Sequence, residues 1–419
     1  MKILYICADL GIPVLGRKGA ATHVRNLVAA LRRSGHSVVV AAPSATKSPW
    51  EEPARLAAPL LVLAPGNATV KTVLSLKEII ERFGISSSLP GEIRRLLYDE
   101  ELFPRLQRRF KDDPPDIIYE RGSMFATAGA RLASLLERPF LLELNAPLSL
   151  EQAAYRRGEL GSLAAAAEKW TLTRADAVLA VSATLADHVA SLGIPAERIH
   201  VVPNGVDPSI FHPGPPEPAT RSRWGLDGGP VLGFVGGLRP WHGVEFLPPL
   251  FEKLARRHEG LQLVIVGNGP LRDTLFSEIS KRGLASRTVL TGALPQEEVP
   301  PLLREFAAAL APYPRPEHPF YFSPLKLFEY MACGAPVVAS AVGQIAEIVR
   351  DGETGFLCPP GDMDAFEAAC DRLLSHPSLR RSVGQAAARD VVERFTWDAN
   401  ARRVGEIGRA LLEGHLKGQ

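Results

Sequence analysis

Apolar runs and amphipathic stretches alternate along most of the chain. Lys2 to Ala8 is nearly all apolar and reads as a buried strand. A glycine-containing loop follows, Asp9 to Gly19. From Ala21 to Ser34 the apolar positions Val24, Leu27, Val28 and Leu31 fall on one helical face. Gly35 ends that helix, and Ser37 to Ala42 predicts a second strand. Strand, glycine loop, helix and strand open a parallel α/β sheet, in which ligands sit at the carboxyl ends of the strands. Residues 43–115 are less regular, with a proline-rich stretch and a helix over Pro90 to Lys111. The pattern then predicts strands at Asp116–Tyr119, Phe140–Leu144, Ala177–Val181 and Ile199–Val202. Helices are expected at Ala126–Leu136, Leu163–Arg174 and Ala183–Leu192.

Residues 206–222 carry five prolines and read as a linker. Beyond them the alternation starts again. Strand Val231–Val235, a glycine turn, helix Val244–Arg257 and strand Gln262–Val266 come first. Strands at Thr288–Thr291, Ala308–Ala311, Val337–Ala339 and Gly355–Leu357 follow. Two α/β halves of similar size therefore flank a proline-rich segment. No fixed-period repeat is visible, which argues against a solenoid.

Composition adds exclusions. A formal net charge of +2 is too balanced for a nucleic-acid binder. Cys7, Cys333, Cys358 and Cys370 form no CxxC pair, and the histidines around them have the wrong spacing for zinc. Reduced, buried thiols in a cytoplasmic protein are expected. The first ten residues lack the features of a signal peptide, and no apolar run reaches the ~18 residues of a membrane span.

Four segments suggest chemistry. Ser323 followed by Pro324 is a helix-start signal, with Ser323 expected as the N-cap and the helix beginning near Leu325. Its free N–H groups make an anion site. Lys326 in the first turn opposes the helix dipole, a cost that makes sense if an anion binds there. Glu329 lies at i+3 on the same face, where the plain alternative is an exposed surface pair. Gly236 and Gly237 follow a buried strand and let backbone approach a ligand, with Arg239 and His242 near enough to meet phosphate charge. Gly16 and Gly19 feed a helix start, and Gly267 and Gly269 follow a strand. No GxGxxG, GxSxG, HExxH or Walker A sequence is present.

With PNGVD at Pro203–Asp207, KLFEYMACGAPVVAS from Lys326, GQIAEIVRDGETGFLCPPGD from Gly343, and KGAATHVRNLVAALRRSGH in the first unit of the pattern, the sequence resembles glycosyltransferase family 4 over nearly its whole length. That family has retaining enzymes of the GT-B fold, two Rossmann-like domains facing across a cleft. The resemblance implies an acceptor-side domain at 1–207, a linker at 208–222, a nucleotide-sugar domain at 223–396, and a last helix at 397–419 packing back on the first domain. It implies that Glu329 holds the nucleotide ribose and that Gly19 and Ala20 lie near the donor diphosphate and the acceptor. Thr291, Gly292, Ala293 and Leu294 would border the base. Gly236, Gly237, Gly267, Tyr321, Ser323 and Leu325 complete the expected donor site. No metal or other cofactor is implied. Asp362-Met363-Asp364 matches a metal motif by letters but lies after GFLCPPG.

The sequence departs from the family pattern in places. The first Glu of the paired-Glu motif corresponds to Tyr321, with Glu317 nearby but out of register. The phosphate Arg corresponds to Gly237 and the phosphate Lys to His242, while Arg239 is displaced by two positions. A His expected near the sugar corresponds to Asn145. Arg239, Lys326 and Asn145 are thus the expected catalytic set. The implied activity moves a sugar, of hexosyl type, from a nucleotide diphosphate to a saccharide, lipid-linked or small-molecule acceptor. A nucleotide-sugar epimerase of the same fold and a non-catalytic binding subunit are the competing readings. Donor contacts concentrate beyond residue 230, which leaves the acceptor to the first domain. There Arg105, Arg108 and Arg109 share a helical face with Leu102, Phe103, Leu106 and Phe110 interleaved. That helix either meets an anionic membrane peripherally or packs its apolar side on the core. The acids at Asp99–Glu101 and Asp112–Asp113 favour packing.

Overall fold

The computed structural model describes residues 1–417 apart from 49, 51, 156, 157 and 227. The chain forms two compact units, Met1–Pro203 with Trp397–Gln419, and Asn204–Thr396.

In the first unit, β1 (Lys2–Cys7) leads into α1 (Gly19–Arg33), β2 (Ser37–Ala42), β3 (Leu60–Val62), α2 (Asn67–Arg82) and α3 (Leu89–Phe110). Then come β4 (Ile117–Arg121), α4 (Ala128–Leu136), β5 (Phe140–Leu144), α5 (Leu148–Tyr155), α6 (Gly161–Arg174), β6 (Ala177–Ala180), α7 (Ala183–Ser191) and β7 (Ile199–Val201). The seven strands form one parallel sheet in the order β3-β2-β1-β4-β5-β6-β7. β4 and β5 are buried at every position, as expected of central parallel strands covered on both faces. The order reverses between β1 and β4.

The segment 43–115 holds more structure than its pattern suggests. β3 is a half-exposed three-residue edge, and Thr69 is the one buried residue of α2, so neither carries a strong hydrophobic period. On α3 the apolar Leu102, Leu106 and Phe110 are buried, and Arg105 donates to the Ala64 carbonyl at 2.7 Å. That face belongs to the core. No helix among the described residues is long and apolar enough to cross a membrane.

The second unit continues with α8 (Pro218–Trp224), β8 (Val231–Val235), α9 (Leu247–Ala255), β9 (Gln262–Val266), α10 (Arg272–Lys281), β10 (Thr288–Gly292), α11 (Val299–Leu303) and β11 (Phe306–Ala311). α12 (Leu325–Ala332), β12 (Val337–Ser340), α13 (Gly343–Ile348), β13 (Phe356–Cys358), α14 (Met363–Ser375) and α15 (Pro377–Arg394) complete it. Its six strands are parallel in the order β10-β9-β8-β11-β12-β13, reversing between β8 and β11. Residues 208–222 lie inside this unit. They carry α8, and Glu217 N–H donates to buried Glu305.

The chain ends in α16 (Trp397–Lys417), which belongs to the first unit and packs on α1. Trp397 is 1% exposed and packs edge-on against His23 with ring centroids 4.9 Å apart, and Arg33 pairs with Asp398 at 2.8 Å. Burying one large apolar side chain in this way stabilises a fold by about 1.5–3 kcal/mol.

Candidate active site

Glycines end three adjacent strands of the second unit. Gly236 follows β8, Gly267 follows β9 and Gly292 closes β10. Gly236 N–H donates to Val266 O at 2.9 Å, and Gly267 N–H to Gly292 O at 2.8 Å. A Cβ on Gly267, at φ 137°, would lie 2.0 Å from Gly236 O, so no side chain fits there. Gly236, at φ 150°, would bring a Cβ to 2.8 Å from Lys326 Nζ. The absent side chains leave a backbone turn directly over the lysine.

Lys326 stands in the first turn of α12 and is 7% exposed. Its Nζ has no hydrogen-bond partner. It rests 4.1 Å from the Phe234 ring centroid and 5.2 Å from that of Tyr313. Burial pulls its pKa down to about 7, partly countered by Glu329. Glu329 itself is half-buried, and burial pushes its carboxyl up to about 7 against the pull of Lys326. The exposed surface pair that the i,i+3 spacing allows is therefore not what the fold builds. α12 also shows why Lys326 is held here. Leu327, Phe328, Tyr330 and Met331 are buried on it, and Tyr330 Oη accepts from Val235 N–H at 2.6 Å, which fixes the helix to the end of β8.

Ser323 does not cap α12. Pro324 occupies the N-cap position, and the Ser323 hydroxyl accepts from Asn204 N–H at 2.9 Å. Asn204 Nδ2 donates to Ser323 O at 2.6 Å. The PNGVD asparagine thus stabilises the loop entering α12 and leaves the N–H groups of its first turn without a side-chain cap.

His242 is tied through Nδ1 to Gly237 O at 2.6 Å. Burial, then Lys326 and Arg239, lower its pKa to about 3. Without a ligand the imidazole is therefore held in its neutral form. It braces the Gly236–Gly237 turn. Arg239 is exposed, with its guanidinium 5.1 Å from the Trp241 ring centroid. Tyr321 is buried against Phe322, their rings 4.5 Å apart, while Glu317 is exposed. Leu325, Thr291 and Leu294 are half-buried. Asp362 caps α14 by accepting from Ala365 N–H, and Asp364 pairs with Lys253 at 3.0 Å. No group of three His, Cys, Asp or Glu side chains that could hold a metal ion occurs among the described residues.

In the first unit, Gly19 and Ala20 open α1, and Asn145 follows β5. Asn145 donates to Glu143, which also meets His23 on α1 and Arg121 on β4. Glu143, His23, Arg121 and the Phe234 and Tyr313 rings beneath Lys326 carry no chemical motif of their own in the sequence. The one available signal was a glutamate inside the apolar strand FLLEL.

Two family models match the chain. "Glycosyltransferase Family 4" covers residues 17–210, and "Glycosyl transferases group 1" covers 229–376. Glycogen synthase of Mycobacterium tuberculosis is 26% identical over all of this chain and 97% of its own. A GDP-mannose-dependent alpha-mannosyltransferase of Mycolicibacterium smegmatis is 28% identical over 90% of both chains. Sucrose-phosphate synthase of Thermosynechococcus elongatus has the same fold, with a TM-score of 0.73 at 20% identity over 99% of this chain and 100% of that one. So does Anabaena HepE in complex with UDP and glucose, at 0.69 and 20% over 97% and 98%. Two Rossmann-like parallel sheets of the GT-B type, with family models matching residues 17–210 and 229–376, make the chain a glycosyltransferase of family 4.

Proposed function

We propose that the enzyme transfers a hexosyl group, with retention of anomeric configuration, from a nucleoside-diphosphate sugar to a hydroxyl acceptor. The observation that carries the donor assignment is Lys326, a buried ammonium with no hydrogen-bond acceptor under a glycine turn. Such a group is complementary to a diphosphate. The phosphates would lie on the N–H groups of Gly237 and Leu325, with Lys326 beneath and Arg239 at the rim. Glu329 would accept hydrogen bonds from ribose hydroxyls, with the base near Gly292 and Leu294. The UDP held by HepE and the GDP-mannose dependence of the mannosyltransferase support this donor class.

In the reaction, the bond from the anomeric carbon to the phosphate oxygen breaks as the acceptor oxygen bonds to that carbon on the same face. The acceptor's proton passes to the departing phosphate oxygen. Lys326 and the backbone donors stabilise charge where it develops, the kind of preorganised stabilisation that dominates many enzymes. No metal is needed in this scheme, so chelator should leave turnover unchanged. Incubation with a panel of nucleotide sugars and acceptors, read by mass spectrometry, tests the whole proposal. Glycosylated acceptor whose anomeric configuration by NMR matches the donor is expected. An inverted product would overturn retention, and epimerised donor without transfer would overturn the activity.

A further inference from the structure

A buried polar cluster of the first unit has a carboxylate at its centre. Glu143, 2% exposed, accepts from Tyr119 Oη at 2.7 Å and Tyr5 Oη at 3.2 Å on one oxygen. On the other it meets Arg121, Asn145 Nδ2, and His23 Nε2 at 3.0 Å. The Tyr5 and Tyr119 rings stack 4.9 Å apart behind it. Burial alone would raise the Glu143 pKa, but His23, Arg121 and the hydrogen bonds hold it well below the usual carboxylate range. The partners come from β1, β4, α1 and the residue after β5. They sit at the carboxyl side of the sheet, where strand order reverses between β1 and β4. Open α/β sheets take their ligands at that crevice.

Four of the five partners are buried, and Asn145 is the half-buried one. A carboxylate only accepts, so Asn145 must turn its NH2 toward Glu143. Its Oδ1 is then directed away from the cluster. An amide free to rotate could offer either a donor or an acceptor, whereas this one offers an acceptor.

We propose that Glu143 is a positioning residue that locks Asn145 so its Oδ1 recognises a sugar hydroxyl in the crevice of the first unit. The inference deepens the sugar transfer proposed above and rests on it. It makes the subsite selective for a hydrogen-bond donor. A deoxy or fluoro analogue at the recognised position would lose the contact, since neither has a proton to give.

The test compares Glu143→Gln, Asn145→Ala and the double variant. Each single change should lower kcat/KM about 10–100-fold, with the calorimetric affinity for UDP or GDP unchanged. The double variant should be no worse than Asn145→Ala, because Glu143 acts through Asn145. Additive losses would overturn the proposal, since they would mean Glu143 acts through general stability. A second readout does not depend on turnover. The Asn145 side-chain amide, identified in 15N NMR by its loss in Asn145→Ala, should exchange with solvent at least about 10-fold faster in Glu143→Gln. Unchanged exchange would sink the positioning role even if transfer is confirmed. Faster exchange in a protein that transfers no sugar would leave the lock standing and remove the transfer reading, and with it the sugar-hydroxyl subsite.

Discussion

Glu143 in the first unit and Lys326 in the second are both buried charged groups, and the two are treated in opposite ways. Glu143 in the first unit has four side-chain donors around it and His23 Nε2 at 3.0 Å. Lys326 in the second faces the Phe234 and Tyr313 rings, and its Nζ has no hydrogen-bond acceptor. A buried charge whose partners are all protein groups is part of the architecture. A buried charge lacking one costs free energy that a ligand can recover. The contrast teaches how to separate scaffold from site without knowing the ligand: count which charges the protein itself has answered.

The largest effect that would break this contrast is on stability. Glu143→Ala leaves Arg121 buried without its carboxylate, which should cost about 3–5 kcal/mol. Lys326→Met replaces an unpaired ammonium by a flexible apolar chain of similar length, and the free protein should be as stable as wild type or more so. The comparison has a pH signature. The folded Lys326 titrates at about 7, below its ordinary 10.5. Its burial cost is therefore fully present below about pH 7 and fades as pH rises toward 10.5, because the unfolded chain holds the extra proton across that window. The gain in melting temperature of Lys326→Met over wild type should be greatest near pH 6 and shrink by pH 10. A gain that grows with pH would show that Lys326 is not buried as a charge.

Catalysis should reverse the ranking. Lys326→Met, harmless to the fold, should lower turnover about 10²–10³-fold, the usual cost of losing one preorganised donor. Steady-state assays with the donor found in the panel check this. Near-normal turnover would place the diphosphate elsewhere.

The alternating pattern was enough to read the central strands, because β4, β5, β8 and β9 are buried almost throughout and appear as apolar runs. It failed at β3 and α2, whose sparse burial leaves no period to find. Among the candidate site residues, Gly236, Gly237 and Lys326 stand out in the sequence because a glycine turn after a strand and a cation in a first helical turn both violate local preference, and Glu329 follows from its i+3 spacing to Lys326. Ser323 misled for a related reason: the Ser-Pro step looks like a cap, yet its hydroxyl is claimed by Asn204, 119 residues away. The Glu143 cluster was illegible for the same cause. Its members are spread from Tyr5 to Asn145, and only the folded sheet brings them together.

Glu329 offers a smaller effect that sharpens the donor side. A carboxylate accepting ribose hydroxyls makes charged hydrogen bonds worth about 1.5–3 kcal/mol. Glu329→Ala should weaken nucleotide binding about 10–100-fold by calorimetry without unfolding the protein. Unchanged affinity would remove it from the site.

The smallest effects belong to the two residues beside the glycine turn, and their order is informative. Arg239 lies in solvent over Trp241, where any charge interaction with a phosphate is screened. His242 is neutral and holds Gly237 O at 2.6 Å, so its removal loosens the backbone that would carry the phosphates. A net hydrogen bond of about 1 kcal/mol predicts a loss of about 5-fold in turnover for His242→Ala. Arg239→Ala should cost less, and its effect should fade in added salt. His242→Gln can restore a side-chain donor toward the Gly237 carbonyl and should recover most of the loss, which a role as a cation could not explain. If Arg239→Ala proves the more damaging of the two and stays so at high salt, then Arg239 reaches the phosphates in the bound state, and the open charge of the second unit is shared between an exposed arginine and a buried lysine.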